Sequence, residues 1–215
     1  MSDSVCQCCA AVEEMREHWK LIDCIKGGTS AMREAGEAYL PKRQLETRED
    51  YEARLKLATL HPAFEETVGA MVGRVFAKPV VIGDDVPQEV ADLLTDVDTE
   101  GRDLQVFAQD WFRGGLEYGL KFALVEIPQR PEDLPNTRQA EQQAGFRPYG
   151  VLIEPGQVLG WKTGNVAGVD SLTQFRFRTC RVEEVDEFTD ESVEQIRVIE
   201  PHRHRVFEEA KDGWE

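Results

Sequence analysis

The sequence predicts an α+β fold, with N-terminal amphipathic helices followed by an antiparallel β-sheet. Three observations carry that expectation. In the first half of the chain, apolar residues recur at spacings of three and four, the period of a helix. Beyond Gly145 the period falls to two, as in a half-buried strand. A polar stretch over 129–145, rich in Pro, Gln and Glu, separates the two regimes. Helices first and strands after is the order of an α+β chain, and it favours antiparallel pairing.

The helical half reads element by element. Val12, Met15, Trp19 and Ile22 form one apolar stripe within residues 1–26, and Gly27-Gly28 stops that helix. A second short helix is expected from Thr29 to Tyr39, ended by Leu40-Pro41. Thr47-x-x-Asp50 has the form of a capping box. It starts a helix with Tyr51, Leu55 and Ala58 on one face. His61-Pro62 breaks the pattern, because proline lacks the amide hydrogen and disfavours helix in the residue before it. The stripe resumes with Phe64, Val68, Met71 or Val72, and Val75, and Lys78-Pro79 ends it. Pro87 to Val97 is expected as a short helix with Val90, Leu93, Leu94 and Val97 inward. Leu104, Phe107, Trp111, Leu116 and Tyr118 give the strongest amphipathic pattern in the chain.

The strand half follows. Phe122 to Ile127, bounded by Pro128, reads as a buried strand, and 129–145 as a surface loop, long for a compact domain. Tyr149, Val151 and Ile153 alternate, and Phe175 and Phe177 alternate with Arg176 and Arg178. Val193, Ile196 and Val198 make another strand-like run. Arg205-Val206-Phe207 reads as a strand, Lys211-Asp212-Gly213 as a turn, and Trp214 as the start of a returning strand. Half a returning strand leaves an edge unpaired, so the chain is expected to be truncated. The expected organisation is an N-terminal helical arm over 1–46 with a Cys-rich start, and an α+β domain over 47–215.

Composition limits the function. The 215 residues hold 25 Lys plus Arg against 41 Asp plus Glu, a formal net charge of −16. Such a chain repels phosphates, which argues against a DNA-wrapping or groove-reading module. It can still surround DNA without gripping it. No apolar run reaches the roughly 18 residues of a membrane helix, and residues 1–10 do not form a secretory signal. The expectation is a soluble protein in a reducing cytoplasm, with no membrane partner. The five cysteines are odd in number and clustered at one end, unlike a disulfide framework.

Four local patterns bear on chemistry. Cys6-Gln7-Cys8-Cys9, with His18 or Cys24, offers thiolates to zinc or copper. Structural zinc sites use two separated ligand pairs, and no second pair exists, so free thiols on a disordered start are expected. Asp96-Val97-Asp98-Thr99-Glu100-Gly101 imitates half of an EF-hand loop, but position twelve is Phe107 instead of a bidentate Glu. It is expected to be a turn capping the next helix. His202-Arg203-His204 places both imidazoles on one face of a strand, expected to be solvated. Arg176, Arg178 and Arg181 are expected on an exposed sheet face, neutralised by Glu183, Glu184, Asp186 and Glu187. Gly114-Gly115 lies in a helix, where it suits close packing. No nucleophile elbow, P-loop, dinucleotide fingerprint or H-E-x-x-H occurs. No catalytic, cofactor-binding or metal residue is assigned, and the chain is not expected to be an enzyme.

An ordered set of segments goes further. Trp19-Lys20-Leu21-Ile22-Asp23-Cys24 precedes Gly27-Gly28 and the run Met32 to Pro41. Tyr51-Glu52-Ala53-Arg54-Leu55 leads to Thr67-Val68 and Gly73-Arg74-Val75-Phe76-Ala77-Lys78-Pro79. Asp96-x-Asp98-x-x-Gly101-x-x-Leu104, with Phe107-Ala108, precedes Leu116-x-x-Gly119 and the Phe122-to-Pro128 strand. Arg147-Pro148-Tyr149 and Trp161 complete it. In this order, over most of residues 19 to 165, the set resembles the N-terminal half of the portal proteins of tailed phages and prophages.

The resemblance implies a structural subunit of a ring, typically of twelve copies, at one capsid vertex. Such rings nucleate head assembly, dock the terminase, pass double-stranded DNA without sequence-specific binding, and join tail or adaptor proteins. It also implies capsid and scaffold partners, and a location in the virion or, during assembly, the host bacterial cytoplasm. This chain would correspond to the portal wing, without stem or clip. Two other readings stand beside it. One is an acidic cytoplasmic metal-binding enzyme using Cys6, Cys8, Cys9 and His18. The other is a phage head-assembly adaptor that reuses a portal wing.

Overall fold

The computed structural model describes residues 3–128, 130–131, 133–166, 168–186, 188–210 and 213–214. The fold is α+β, with an N-terminal helical region and two antiparallel sheets. Its packing divides the chain into two units, one of residues 19–152 and one of residues 1–18 with 153–215. This division does not follow the 46/47 boundary. Among the described residues no helix is long and apolar enough to cross a membrane.

The helical unit begins in helix α1 (Ala10–Lys26), whose first half counts with the other unit. α1 ends at Gly27, where an added Cβ would lie 2.5 Å from the Ala31 Cβ. Next come α2 (Gly28–Ala35) and a 3-10 turn (Gly36–Ala38). α3 (Arg48–Leu57) starts at Thr47, whose hydroxyl oxygen accepts the Asp50 backbone N–H at 3.1 Å. Tyr51 is 2% exposed, with the guanidinium groups of Arg48 and Arg54 over its ring. The His61-Pro62 break falls as expected, and α4 (Ala63–Val75) follows it. Val68 and Val72 are buried, whereas Met71 and Val75 are exposed.

Helix α5 (Gln88–Leu93) is shorter than the 87–97 expected, and Val90 is exposed. The cause is local. Asp96 and Asp98 accept backbone N–H groups of the following turn, which competes with helix continuation. α6 (Leu104–Tyr118) is capped by Asp103, which accepts the Val106 N–H, and ends at Gly119 in the left-handed region. β1 (Phe122–Glu126) pairs with β2 (Tyr149–Ile153). The expected buried strand is half-buried, with Val125 74% and Ile127 67% exposed. A strand covered on only one face must turn alternate side chains outward, even within a continuous apolar run. The expected 129–145 loop contains a short helix, α7 (Arg138–Gln143). Gln129 and Glu132 of that loop lie outside the described residues.

The other unit is a five-stranded antiparallel meander. Its strands are β3 (Val158–Val166), β4 (Val169–Asp186), β5 (Thr189–Glu200), β6 (Arg203–Ala210) and β7 (Gly213–Trp214), in that order. The period of two in β4 separates Phe175 and Phe177, both buried, from Arg176 and Arg178. Across the sheet Arg176 pairs with Val198, and Val198 with Arg205. Leu159, Ile196, Val198 and Trp214 form a buried cluster, with Val5, Cys6, Cys8 and Phe207 packed against it. Trp214 pairs with Glu209 in the returning strand. Lys211 and Asp212 of the expected turn lie outside the described residues, and Gly213 belongs to β7.

The N-terminal segment is folded onto this sheet, correcting the expected disordered start. The Cys9 N–H donates to the Leu159 carbonyl at 2.8 Å. Gly160 makes room for it, since an added Cβ there would lie 2.9 Å from both Cβ and Sγ of Cys9. Arg176 donates to the Ser4 and Val5 carbonyls, and Arg16 to those of Gly156 and Val158. The cysteines supply small apolar side chains to a core, which sequence spacing does not reveal.

Candidate interaction surfaces

The patterns singled out for chemistry resolve into structure. Asp98 is 6% exposed. Its carboxylate accepts the Glu100 N–H at 2.9 Å and the Arg102 N–H at 3.2 Å, and forms an ion pair with Arg102. Burial pushes this carboxyl up, but those hydrogen bonds and the guanidinium hold it below the usual carboxylate range. Asp96 accepts the Gly101 N–H and pairs with Arg147 at 2.7 Å. Both carboxylates thus organise a turn, with Thr99 at φ 67°.

His202 and His204 do not share a strand face. His202 occupies a tight turn at φ 62°, while His204 lies in β6 and its Nε2 accepts from Arg197 at 3.1 Å. A two-residue connection between Glu200 and Arg203 forces the first histidine off the ladder. Of the arginines, Arg178 pairs with Glu194, and Arg181 with Glu183 and Glu208. Arg176 is half-buried and clamps the N-terminal segment. Among the described residues no group of three or more His, Cys, Asp or Glu is placed to hold a metal ion.

One buried carboxylate escaped sequence reasoning. Glu117 on α6 is 5% exposed and forms an ion pair with Lys26 on α1. Its second oxygen lies 3.5 Å from the Arg113 guanidinium, without a hydrogen bond. Burial pushes the Lys26 ammonium down, but the Glu117 carboxylate more than offsets this and holds it above its ordinary value. Lys26 also sits 4.8 Å from the centre of the Tyr118 ring. Tyr118 donates its hydroxyl to Asp23 at 2.7 Å, and the Trp19 indole donates to the Tyr118 carbonyl at 2.9 Å. The Glu117 charge is balanced by Lys26 and Arg113 across two helices, so the cluster is a structural tie. A charge at position 117 breaks the apolar stripe, so periodicity gave no sign of it.

Helices α4 and α6 carry an apolar groove of about 550 Å³, lined by Phe76, Ala108, Trp111, Phe112, Gly115 and Leu116. Trp111 is 45% exposed, and its indole donates to the Lys121 carbonyl at 2.6 Å. The expected inward face of α6 is therefore corrected. The buried residues are Phe107, Gly114 and Glu117. At about 100° per residue, Leu116 falls roughly opposite Phe107, and Trp111 on the edge of the buried face. Apolar side chains are left on an open helix surface, a feature of contact sites.

The sheet unit carries a different groove, of about 410 Å³, with three cationic side chains over an apolar floor. Lys162, Arg176 and Arg205 supply the charge, and Val198, Phe207 and Trp214 are part of the floor. Arg205 pairs with Glu200 at 3.0 Å, and Arg176 donates to the Ser4 and Val5 carbonyls. Comparison with protein-family models and with curated proteins returned no match.

Proposed function

We propose that the chain is a structural subunit of a phage portal ring at the capsid vertex, with no catalytic role. The observation that carries this reading is the ordered set of portal-like segments over residues 19 to 165, from Trp19 to Trp161. Two physical features support it. The α4–α6 groove exposes apolar side chains that a neighbour can cover. The net charge of −16 suits a ring through which DNA passes without sticking. In this reading the partners are further copies of the chain, capsid and scaffold proteins, terminase, and tail or adaptor proteins. The place of action is the virion vertex, after assembly in the host cytoplasm. The complete gene product carrying this chain tests the proposal, by native mass measurement and electron microscopy. A closed ring of identical subunits is expected. A monomer at every concentration overturns the ring. Bound zinc or copper in stoichiometric amount favours the metal-enzyme reading instead.

A further inference from the structure

We propose that the cationic groove of the sheet unit receives the acidic tip of the β4–β5 hairpin from a second copy of the chain. The inference rests on the ring reading in taking the neighbour to be a copy of itself, and it names the contact. The groove concentrates Lys162, Arg176 and Arg205 in a protein of net charge −16. An apolar floor under a cationic rim suits an anionic group next to an apolar one. The hairpin tip has that chemistry. Glu183 stands opposite Glu191, and Glu184 opposite Asp190, while Phe188 at the turn is 89% exposed.

Like charges facing each other across strands destabilise a hairpin, so a cationic surround relieves the tip. The same burial removes an aromatic ring from water. The tip cannot reach the groove of its own chain. Ten residues of β4 separate Arg176 from Asp186, roughly 33 Å at about 3.3 Å per residue, and pairing with β5 keeps the arm extended. The contact therefore joins different surfaces of two copies, as closure of a ring requires.

Charge reversal on the full gene product tests it, with self-association followed by sedimentation velocity at two salt concentrations. Lys162 is exposed, and so are Glu184 and Asp190, so their variants are expected to melt as the parent does. Lys162→Glu is expected to weaken association at least tenfold at low salt, as is the pair Glu184→Lys with Asp190→Lys. All three changes in one chain are expected to recover only part of it, because Arg176 and Arg205 stay cationic and only the contact at position 162 is re-paired. If the parent forms rings and the variants form them equally well, the contact is overturned while the ring reading stands. If the tip reversal weakens association and Lys162→Glu does not, the tip seats elsewhere and the groove is overturned as its receptor. If the parent never associates, the ring reading itself fails.

Discussion

The two units solve the burial problem differently. The sheet unit closes one core and leaves apolar side chains exposed mainly along its β3–β4 and β4–β5 hairpins, among them Val182, Val185 and Phe188. Val158, Leu159, Ile196 and Val198 are each at most 1% exposed, and the N-terminal segment packs Val5, Cys6 and Cys8 against the cluster. The helical unit does not close. It buries Val68, Val72 and Phe107 but leaves Met71, Val75 and Trp111 about half exposed, and it ties α1 to α6 with a buried ion pair. A sheet face fixes its side chains two residues apart and can be covered by one short segment. Short helices offer narrow stripes, so apolar residues at their margins stay open unless another chain covers them.

The largest expected effect lies in the closed unit. Ile196→Ala, at 0% exposure, should destabilise by about 3 kcal/mol, since a rigid sheet cannot collapse into the cavity. Urea unfolding checks it, and a loss below about 1 kcal/mol would contradict a tightly closed core. Next is the tie of the helical unit. Lys26→Met leaves the Glu117 carboxylate only the Arg113 guanidinium at 3.5 Å and should cost roughly 2 kcal/mol, less than for a fully buried pair because Lys26 is a third exposed. The double change Lys26→Met with Glu117→Leu should recover most of that loss, measured in the same assay.

Loss of the helix cap by Thr47→Ala should cost about 1 kcal/mol. Acid acts on the neighbouring Glu46, whose carboxyl is lowered to about 2 by hydrogen bonds from Arg54 and the Arg43 backbone. Its folded value lies below the unfolded one. This contribution is therefore fully present above about pH 4.3 and is lost as pH falls towards 2. Glu46→Gln should flatten that part of the acid-unfolding profile. The smallest effect is on the open face, where Val75→Ser, at 58% exposure, should change monomer stability by less than about 0.5 kcal/mol. A larger loss would place Val75 in the core and weaken the contrast between the units.

Much of this architecture is legible in the residues. The break at His61-Pro62, the cap at Thr47, the stop at Gly27-Gly28 and the alternation of Phe175 with Arg176 depend on near neighbours, so local chemistry determines them. The inward face of α6 was not legible. Trp111 and Leu116 are more apolar than Glu117, yet Glu117 is buried because Lys26, 91 residues away, meets it. Cys6 and Cys8 have the spacing of ligands or loose thiols, but a sheet far along the chain packs against them. The three cations of the sheet groove come from three strands, and no spacing in one segment brings them together.

The sequence by itself determined the α+β class, the breaks at Gly27-Gly28 and His61-Pro62, the cap at Thr47 and the strand periodicity, because each follows from interactions within a few residues. Only the tertiary structure decided which apolar side chains are covered, that the N-terminal cysteines join a core, and that Lys162, Arg176 and Arg205 share one groove. Those outcomes depend on contacts between distant segments, and the energy of burying a side chain is set by what covers it and not by its neighbours in the chain.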